Sequence, residues 1–482
     1  MIRRPPRSTR KESSAASDVY KRQLLVSVAA SGYHLKMFDL ENAFLQAFLN
    51  ESKYGAIFVK VPEQFREKNK SAYAKLLRTI YGMDFSPREW HDLYDSKLKT
   101  LGWESCPEEP GIYKKPSSVE GEVLLLSVYV DDNLLGGPCL KELDNEIAKI
   151  LAIFPGAEVP PVKNTWDILG AEVEYNRDTR ELNITMKTYI EKLVSKFNMV
   201  GHKPTYSPSF SETALNDSTN TNAEDTSFPL RQLLGALQWV CTVARPDCLQ
   251  CVNTLARTVG GGTHTRAAVT AAKKILKYLS TTSSMGLHYS PESEAEFNRI
   301  YGHTDSDFHL FSDASFGNCT KTLKSTSGSI MYYRSVPIAW RSNRQSIRAY
   351  STAEAEYVAG ADTLILETQQ GFSNFFRPQK AEAPLWIDNQ SAITIASTSD
   401  LHTKSKHFAL RYMRLKDESH RIFYCPTQIQ KADALTKAVP FGVRHMIFHH
   451  TTDIDDRIKD LDLESDFETY LTRVTPFEIE FS

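Results

Sequence analysis

Along most of this 482-residue chain, apolar positions either alternate with polar ones or recur every three to four residues, and the two periods divide it into elements. HLKMFD, IFVKV and the apolar run ending in SVYV read as strands, whereas ENAFLQAFL and EWHDLYDSKLKTLGW read as amphipathic helices. Gly82 and Pro87 interrupt the period in IYGMDFSPREW and predict a loop ahead of the second of these helices. Further on, residues 123 to 135 read as a hairpin and KELDNEIAKILAIF as a helix. DILGAEVEYNRDTRELNITM reads as a second hairpin turning near Asn176 to Arg180, and KTYIEKLVSKFNM as the helix after it. This mixture predicts an α+β domain over residues 24–203.

Residues 204–229, rich in Ser, Thr, Asn and Pro, carry neither period and predict a linker. A helical block follows over residues 230–300. From Tyr301 the chain turns strand-rich: LFSDASFG, SGSIMYYRS and VPIAWRS are successive strands, then come the helix STAEAEYVAGADTLILETQQGF and the strand-to-helix run PLWIDNQSAITIA. The order βββ-α-β-α predicts a mixed sheet with flanking helices over residues 301–440. Residues 441–482, with ten acids against four Lys and Arg, form an acidic tail without a usable motif.

With 41% hydrophobic content the chain is long enough for two or three cored domains. No stretch reaches the ~20 apolar residues of a membrane span, so an intracellular protein is expected. The seven cysteines are odd in number and scattered, which fits reduced thiols; Cys248 and Cys251 make a CxxC with no second pair at zinc-finger spacing. The formal charge is −2, but the first 23 residues hold seven Lys and Arg against two acids, so the remainder is near −7. An acidic body argues against sequence-blind electrostatic DNA binding as the whole function. Residues 1–23 lack apolar periodicity and read as disordered and dispensable. They also resemble the conceptual translation of a sequencing adapter, so a non-native segment is expected over residues 1–23.

Two adjacent carboxylates, Asp131 and Asp132, interrupt the strand-forming run SVYVDDNLLGG. Ionised Asp is costly to desolvate there, so either a solvated turn or a bound divalent cation must compensate the pair. Asp39 ends the strand HLKMFD just before a helix, where it serves equally as an N-cap or as a third carboxylate. Three such carboxylates can hold two divalent ions ~3.5 to 4 Å apart for in-line phosphoryl transfer. A second set lies downstream: Asp313 inside the apolar LFSDAS, Glu354 and Glu356 in STAEAEYVAG, Asp388 ending LWID, and Asp433 opening a helix ADALTK. A lone carboxylate inside an apolar strand needs a partner or an ion, while Glu354, Asp388 and Asp433 also suit a helix surface, a helix cap and a helix-dipole partner.

MFDLENAFL, IYGMDFSPREW, SVYVDDNLLGG and DILGAEVEYNRDTRELNITMKTYIEKLVSKFNM, in that order, resemble the palm and early thumb of a copia-type (Pseudoviridae-like) LTR retrotransposon reverse transcriptase. LRQLLGALQWV and ARPDC resemble the connection of the same elements. SDASFG, KSTSGSIMYY, IAWRSNRQ, STAEAEYVAG, DNQSAI, HTKSKHFALRYM and QKADALTK resemble their RNase H domain. Together the resemblance spans roughly residues 24 to 440 and implies a palm and thumb with partial fingers, a connection and an RNase H-like α/β domain.

By that resemblance Asp39, Asp131 and Asp132 form the polymerase site, and Asp313, Glu356, Asp388 and Asp433 the ribonuclease H site, each with two Mg²⁺ or Mn²⁺ ions. Glu356 is preferred to Glu354 because it directly precedes the turn YVAG, as in the family. The resemblance further implies Phe44 as the steric gate against a 2′-hydroxyl and Arg88 as a substrate contact. Lys404, Lys406, His407, Arg411 and Arg414 are expected to bind heteroduplex phosphates or to form a solvated helix face. The implied partners are an RNA template, a DNA primer, the RNA–DNA hybrid and dNTPs, with no membrane, and the implied location a cytoplasmic virus-like particle or the nucleus.

Two departures from the family bear on activity. Its loop reads YGLKQAPRAW, so the Gln that contacts the incoming nucleotide falls on Phe85, whose ring lacks the amide's hydrogen bonds. The fingers strands that precede the first Asp are expected before residue 24 and are missing or overwritten there. An impaired polymerase half is therefore expected. The rival readings are a non-catalytic retrotransposon remnant that only binds nucleic acid, and a two-metal nuclease without a polymerase role.

Overall fold

The computed structural model describes residues 9–66, 72–212, 215, 228–259, 265–301, 305–376, 381–397, 409–441 and 444. It divides into two compact units, one made of residues 31–163 and the other of residues 1–30 with 164–482.

The unit 31–163 is built on a six-stranded antiparallel sheet in the order β4-β5-β6-β7-β1-β8. Its strands are β1 (His34–Leu40), β4 (Glu104–Ser105), β5 (Ile112–Pro116), β6 (Val123–Tyr129), β7 (Asp132–Gly137) and β8 (Gly156–Glu158), while β2 (Phe58–Lys60) and β3 (Tyr73–Lys75) pair separately. The helices Ser86–Thr100 and Leu140–Leu151 carry apolar stripes that pack with the sheet into one core. Phe38, Trp90, Tyr94, Leu98, Leu126, Leu135 and Ile147 are among its members. This core holds the hairpin of β6 and β7 from behind.

In the second unit β9 (Thr165–Ile168), β10 (Ala171–Asn176), β11 (Glu181–Thr185) and β12 (Leu287–Tyr289) form an antiparallel sheet. The hairpin β10–β11 turns between Asn176 and Arg180, and the Asn176 side chain accepts from the Asp178 N–H at 3.0 Å. A five-stranded mixed sheet, β15-β14-β13-β16-β17, follows. It consists of β13 (Phe308–Ser315), β14 (Thr326–Tyr333), β15 (Val336–Arg344), β16 (Leu385–Ile387) and β17 (Ile422–Tyr424), with β16 parallel to both its neighbours. The α+β class and the mixed sheet are both present in the structure.

Three expectations change. Residues 164–203 do not group with the first unit: Leu182, Asn183 and Ile184 of β11 pair with Tyr289, His288 and Leu287 of β12, which ties the second hairpin to the helical block beyond residue 229. Most of the linker 204–229 lies outside the described residues, as does the acidic tail except Phe441 and Arg444. Arg444 is buried and donates to the Asp247 carbonyl, beside the buried pair in which Arg245 grips Asp247 at 2.9 and 2.7 Å.

The third change concerns the N-terminus, where a helix runs from Thr9 to Ser31 through most of the segment expected to be disordered. From Val19 its side chains are buried almost all round. The Arg22 guanidinium donates to the carbonyls of Ile338 (2.8 Å), Thr242 and Val243 (3.0 Å each) and lies 4.4 Å over the Trp340 ring. Lys21 and Arg22 hid the signal: with those charges accommodated, Val19 and Tyr20 extend the apolar run LLVSVAA by one and a half turns. Residues 1–8 lie outside the described residues.

Candidate active sites

The hairpin between β6 and β7 turns on Val130 and Asp131, and Val130 takes a left-handed φ of 59°, costly for a β-branched residue. Three bonds hold it there. The Trp90 indole donates to the Val130 carbonyl (2.8 Å), while the Leu40 N–H (3.0 Å) and the Asn133 amide (2.7 Å) both donate to the Asp131 carbonyl. Asn133 is itself oriented by the buried Tyr94 hydroxyl at 2.9 Å. The β1/β7 register sets Asp39 directly opposite Asp132. Partial burial, then the charges of Asp131 and Glu41, push the Asp39 carboxyl above its ordinary range. Asp39 is not a helix cap, because the short helix Ala43–Gln46 begins after Asn42. Among the described residues, however, Asp39, Asp131 and Asp132 are not a set whose ligand oxygens all lie within 4.8 Å of one another.

Around this hairpin, Phe44 is half-buried and meets the Tyr81 ring edge-on at 4.9 Å. Arg88 is exposed, 3.8 Å from Asp92 one turn on. Phe85 lies flat on Tyr54, with ring centroids 4.1 Å apart and planes 14° apart. Tyr54 and Lys53 both donate to Glu89, at 2.7 and 2.8 Å, so the stacked pair is pinned to the start of the helix Ser86–Thr100. The sequence carried no signal for Tyr54, which meets Phe85 from 31 positions away.

The downstream carboxylates converge. Asp313, Asp388 and Asp433 each offer an oxygen within 4.8 Å of the other two. Asp313 sits in the central strand β13, 1% exposed. Asp388 leaves the C-terminal end of the neighbouring parallel strand β16. Asp433 lies in a single 3-10 turn, Asp433–Leu435, rather than opening a regular helix.

Two of the three are positioned by hydroxyls. Thr436 donates to Asp313, and Thr427 donates to Asp388 at 2.9 Å. Asn389, not Asp388, caps the next helix, accepting from the Ala392 N–H at 3.0 Å. Glu354 is engaged at the N-terminus of the helix Thr352–Thr363, where it accepts from the Tyr350 N–H at 2.7 Å while its own N–H donates to Ser351. Glu356, on the inner face of the same helix, is buried beside Asp313 and Asp388.

Burial, then the neighbouring charges, pushes the Glu356 carboxyl up to about 10 and Asp433 up to about 7; Asp313 is raised as well, chiefly by burial. One Glu356 oxygen is buried without a hydrogen bond, and Asp433 Oδ1 is met only by the Lys437 ammonium at 2.9 Å. An all-oxygen donor set with an unsatisfied buried oxygen suits a hard divalent cation such as Mg²⁺ or Mn²⁺.

Gly328 makes this convergence sterically feasible, and sequence reading did not single it out. It pairs with Asp313 across β13/β14, and a Cβ there would meet Thr436 Cγ2 at 2.7 Å and the Ala432 carbonyl at 2.9 Å. Only a residue without a side chain lets the Asp433 turn lie against β14.

Lys404, Lys406 and His407 lie outside the described residues. Arg411 belongs to the helix Ala409–Asp417, with its side chain outside the described set. Arg414 instead donates to the Leu364 carbonyl at 3.3 Å, so this cation is at least partly engaged by its own domain. All seven cysteines are free thiols. Among the described residues no helix is long and apolar enough to cross a membrane.

Comparison with known proteins agrees with the order of motifs. A family described as "Reverse transcriptase (RNA-dependent DNA polymerase)" matches residues 11–211. The chain is 28% identical over 434 residues to the retrovirus-related Pol polyprotein from transposon TNT 1-94 of Nicotiana tabacum, covering 86% of this chain and 31% of that protein. It is 27% identical over 428 residues to the Pol polyprotein from transposon RE1 of Arabidopsis thaliana, covering 86% and 27%. The chain thus spans about a third of the length of these relatives. A solved foamy viral protease-reverse transcriptase in complex with dsDNA aligns with a TM-score of 0.47 at 15% identity, over 82% of this chain and 68% of that one.

Proposed function

We propose that this chain, which belongs to the reverse transcriptase family of copia-type retrotransposon Pol polyproteins, cleaves the RNA strand of an RNA–DNA hybrid at Asp313, Glu356, Asp388 and Asp433. The observation that carries this reading is the convergence of Asp313, Asp388 and Asp433 from three separate elements into one 4.8 Å cluster. Two bound divalent ions would supply an activated water and charge stabilisation for phosphoryl transfer. The protein's own part is to hold the oxygens: Thr436 and Thr427 fix one oxygen each of Asp313 and Asp388, leaving the others toward the cluster. Burial and the charges of Asp313 and Asp388 raise the Glu356 carboxyl, so the affinity of these ligands for a divalent ion would rise with pH.

The hairpin carboxylates Asp39, Asp131 and Asp132 support a second activity, DNA synthesis from dNTPs on an RNA template and a DNA primer. The facing register of Asp39 and Asp132 favours it. Phe44 would bound the sugar side of that site and Arg88 the nucleotide side. Phe85, stacked on Tyr54 at the place where the resembled family loop has Gln, would weaken nucleotide positioning, and a displacement of ~1 Å can cost on the order of 10²-fold in rate. We therefore assign the polymerase half a low activity.

Asp388→Asn keeps the shape and removes one ligand charge. Hybrid cleavage with Mg²⁺ or Mn²⁺ should collapse in that variant, and undiminished cleavage would sink the assignment. A wild-type chain that binds hybrid but cleaves nothing with either metal would mark it as a non-catalytic remnant.

A further inference from the structure

Among the described residues, one cation reaches the downstream cluster. Lys437 Nζ lies 2.9 Å from Asp433 Oδ1 and 3.8 Å from Asp313 Oδ1. It stands four residues after Asp433, just past the 3-10 turn. Its side chain is 42% exposed, against 8% and 2% for the carboxylates that it faces. The contact with Asp433 Oδ1 is a close ion pair that, against the opposing effect of burial, raises the Lys437 ammonium's affinity for its proton. The oxygen of Asp313 that Lys437 faces is the one that Thr436 does not hold.

We propose that Lys437 is a tethered counter-ion of the Asp313–Asp433 carboxylates that swings into solvent when a divalent ion binds, and thereby sets the metal affinity. The inference rests on reading the cluster as a divalent-ion site. Buried carboxylates without a cation are costly, so the metal-free fold needs a charge at this place. A compact ammonium on a flexible four-carbon stem supplies it reversibly. Asp313 and Asp433, the carboxylates that Lys437 now faces, are two of the three that would hold a divalent ion. Two cations cannot share them, and the partly exposed lysine is the one with somewhere to go. The first ion to bind therefore displaces an internal competitor.

The test is direct Mn²⁺ binding, by calorimetry and by the electron paramagnetic resonance of free Mn²⁺. The full chain carries Asp39→Asn, Glu382→Gln and His420→Ala throughout, because Glu382, Glu418 and His420 form a second group that could hold an ion, so that ions counted belong to the downstream cluster. Lys437→Met and Lys437→Gln should bind Mn²⁺ more tightly, by roughly tenfold if about 1.4 kcal/mol of competition is removed. Lys437→Arg, which keeps the charge, should stay near the parent. In EDTA the Met and Gln variants should melt below the parent, and saturating Mn²⁺ should close or reverse that gap. Equal affinity in parent, Met and Gln forms overturns the proposal and leaves the metal site standing; weaker binding in both also overturns it and makes Lys437 an organiser of the ligands. Absence of binding in every form, or binding that survives Asp388→Asn, overturns the metal-site reading itself, and the proposal with it.

Discussion

The Tyr94 hydroxyl donates to the Asn133 carboxamide oxygen across 2.9 Å, with both side chains buried. Asn133 in turn clamps the Asp131 carbonyl, so a helix residue 37 positions upstream orients the tip that bears two of the hairpin carboxylates. Tyr94→Phe leaves the Asn133 oxygen buried without its donor, at a cost of about 1–3 kcal/mol. Thermal melting should show that loss, and any primer extension should fall, while hybrid cleavage should not. Equal loss of both activities would point to general unfolding instead.

Gly328→Ala should act on the other site. Its added Cβ would press on Thr436 and Ala432, and overpacking of this kind costs about 1–3 kcal/mol. Because the Asp433 turn is what must yield, Mn²⁺ affinity and hybrid cleavage should drop, with primer extension unchanged. Full cleavage by the variant would show that the turn tolerates the displacement.

Removing residues 1–23, or replacing Arg22 by Met, should lower the melting temperature. The substitution strands the carbonyls of Ile338, Thr242 and Val243, and hydrogen bonds to charged groups are worth roughly 1.5–3 kcal/mol each. An unchanged melt in both variants would mean that the helix Thr9–Ser31 contributes nothing to the fold.

His288 supplies a pH dependence. Burial holds its imidazole below the ordinary 6.5, and its Nδ1 contacts the Asn183 side chain at 2.7 Å. The folded state therefore binds fewer protons than the unfolded chain once pH falls past about 6.5. Stability contributed at this position is present above that pH and is lost progressively below it. His288→Gln should flatten the acid limb of melting temperature against pH below about 6.5; an identical limb would assign the slope to other groups.

Replacing Phe85 by Gln should raise primer extension on a poly(A) template, despite losing the stack on Tyr54, a contact worth about 0.5–1.5 kcal/mol. A lower rate in the variant would mean that the stack, rather than the missing amide, governs the site.

What the sequence by itself determined was local. The strand HLKMFD, the hairpin around Asp131, the turn at Asn176 to Arg180 and the mixed order from Tyr301 all follow from apolar period and turn chemistry, which act over a few residues. The ordered motifs named the carboxylates for the same reason: each is a residue type in a short, recognisable frame. Tertiary structure alone decided which of them meet. Asp313, Asp388 and Asp433 come together through a parallel strand pairing and the missing side chain of Gly328, and Lys437 enters their cluster only because of the turn that presents Asp433. The same holds for Arg22: its charge looked like that of a solvated segment until carbonyls more than 200 positions away closed around it. Contacts of that separation leave no period in the chain, since their free energy comes from desolvation and close packing that exist only after folding.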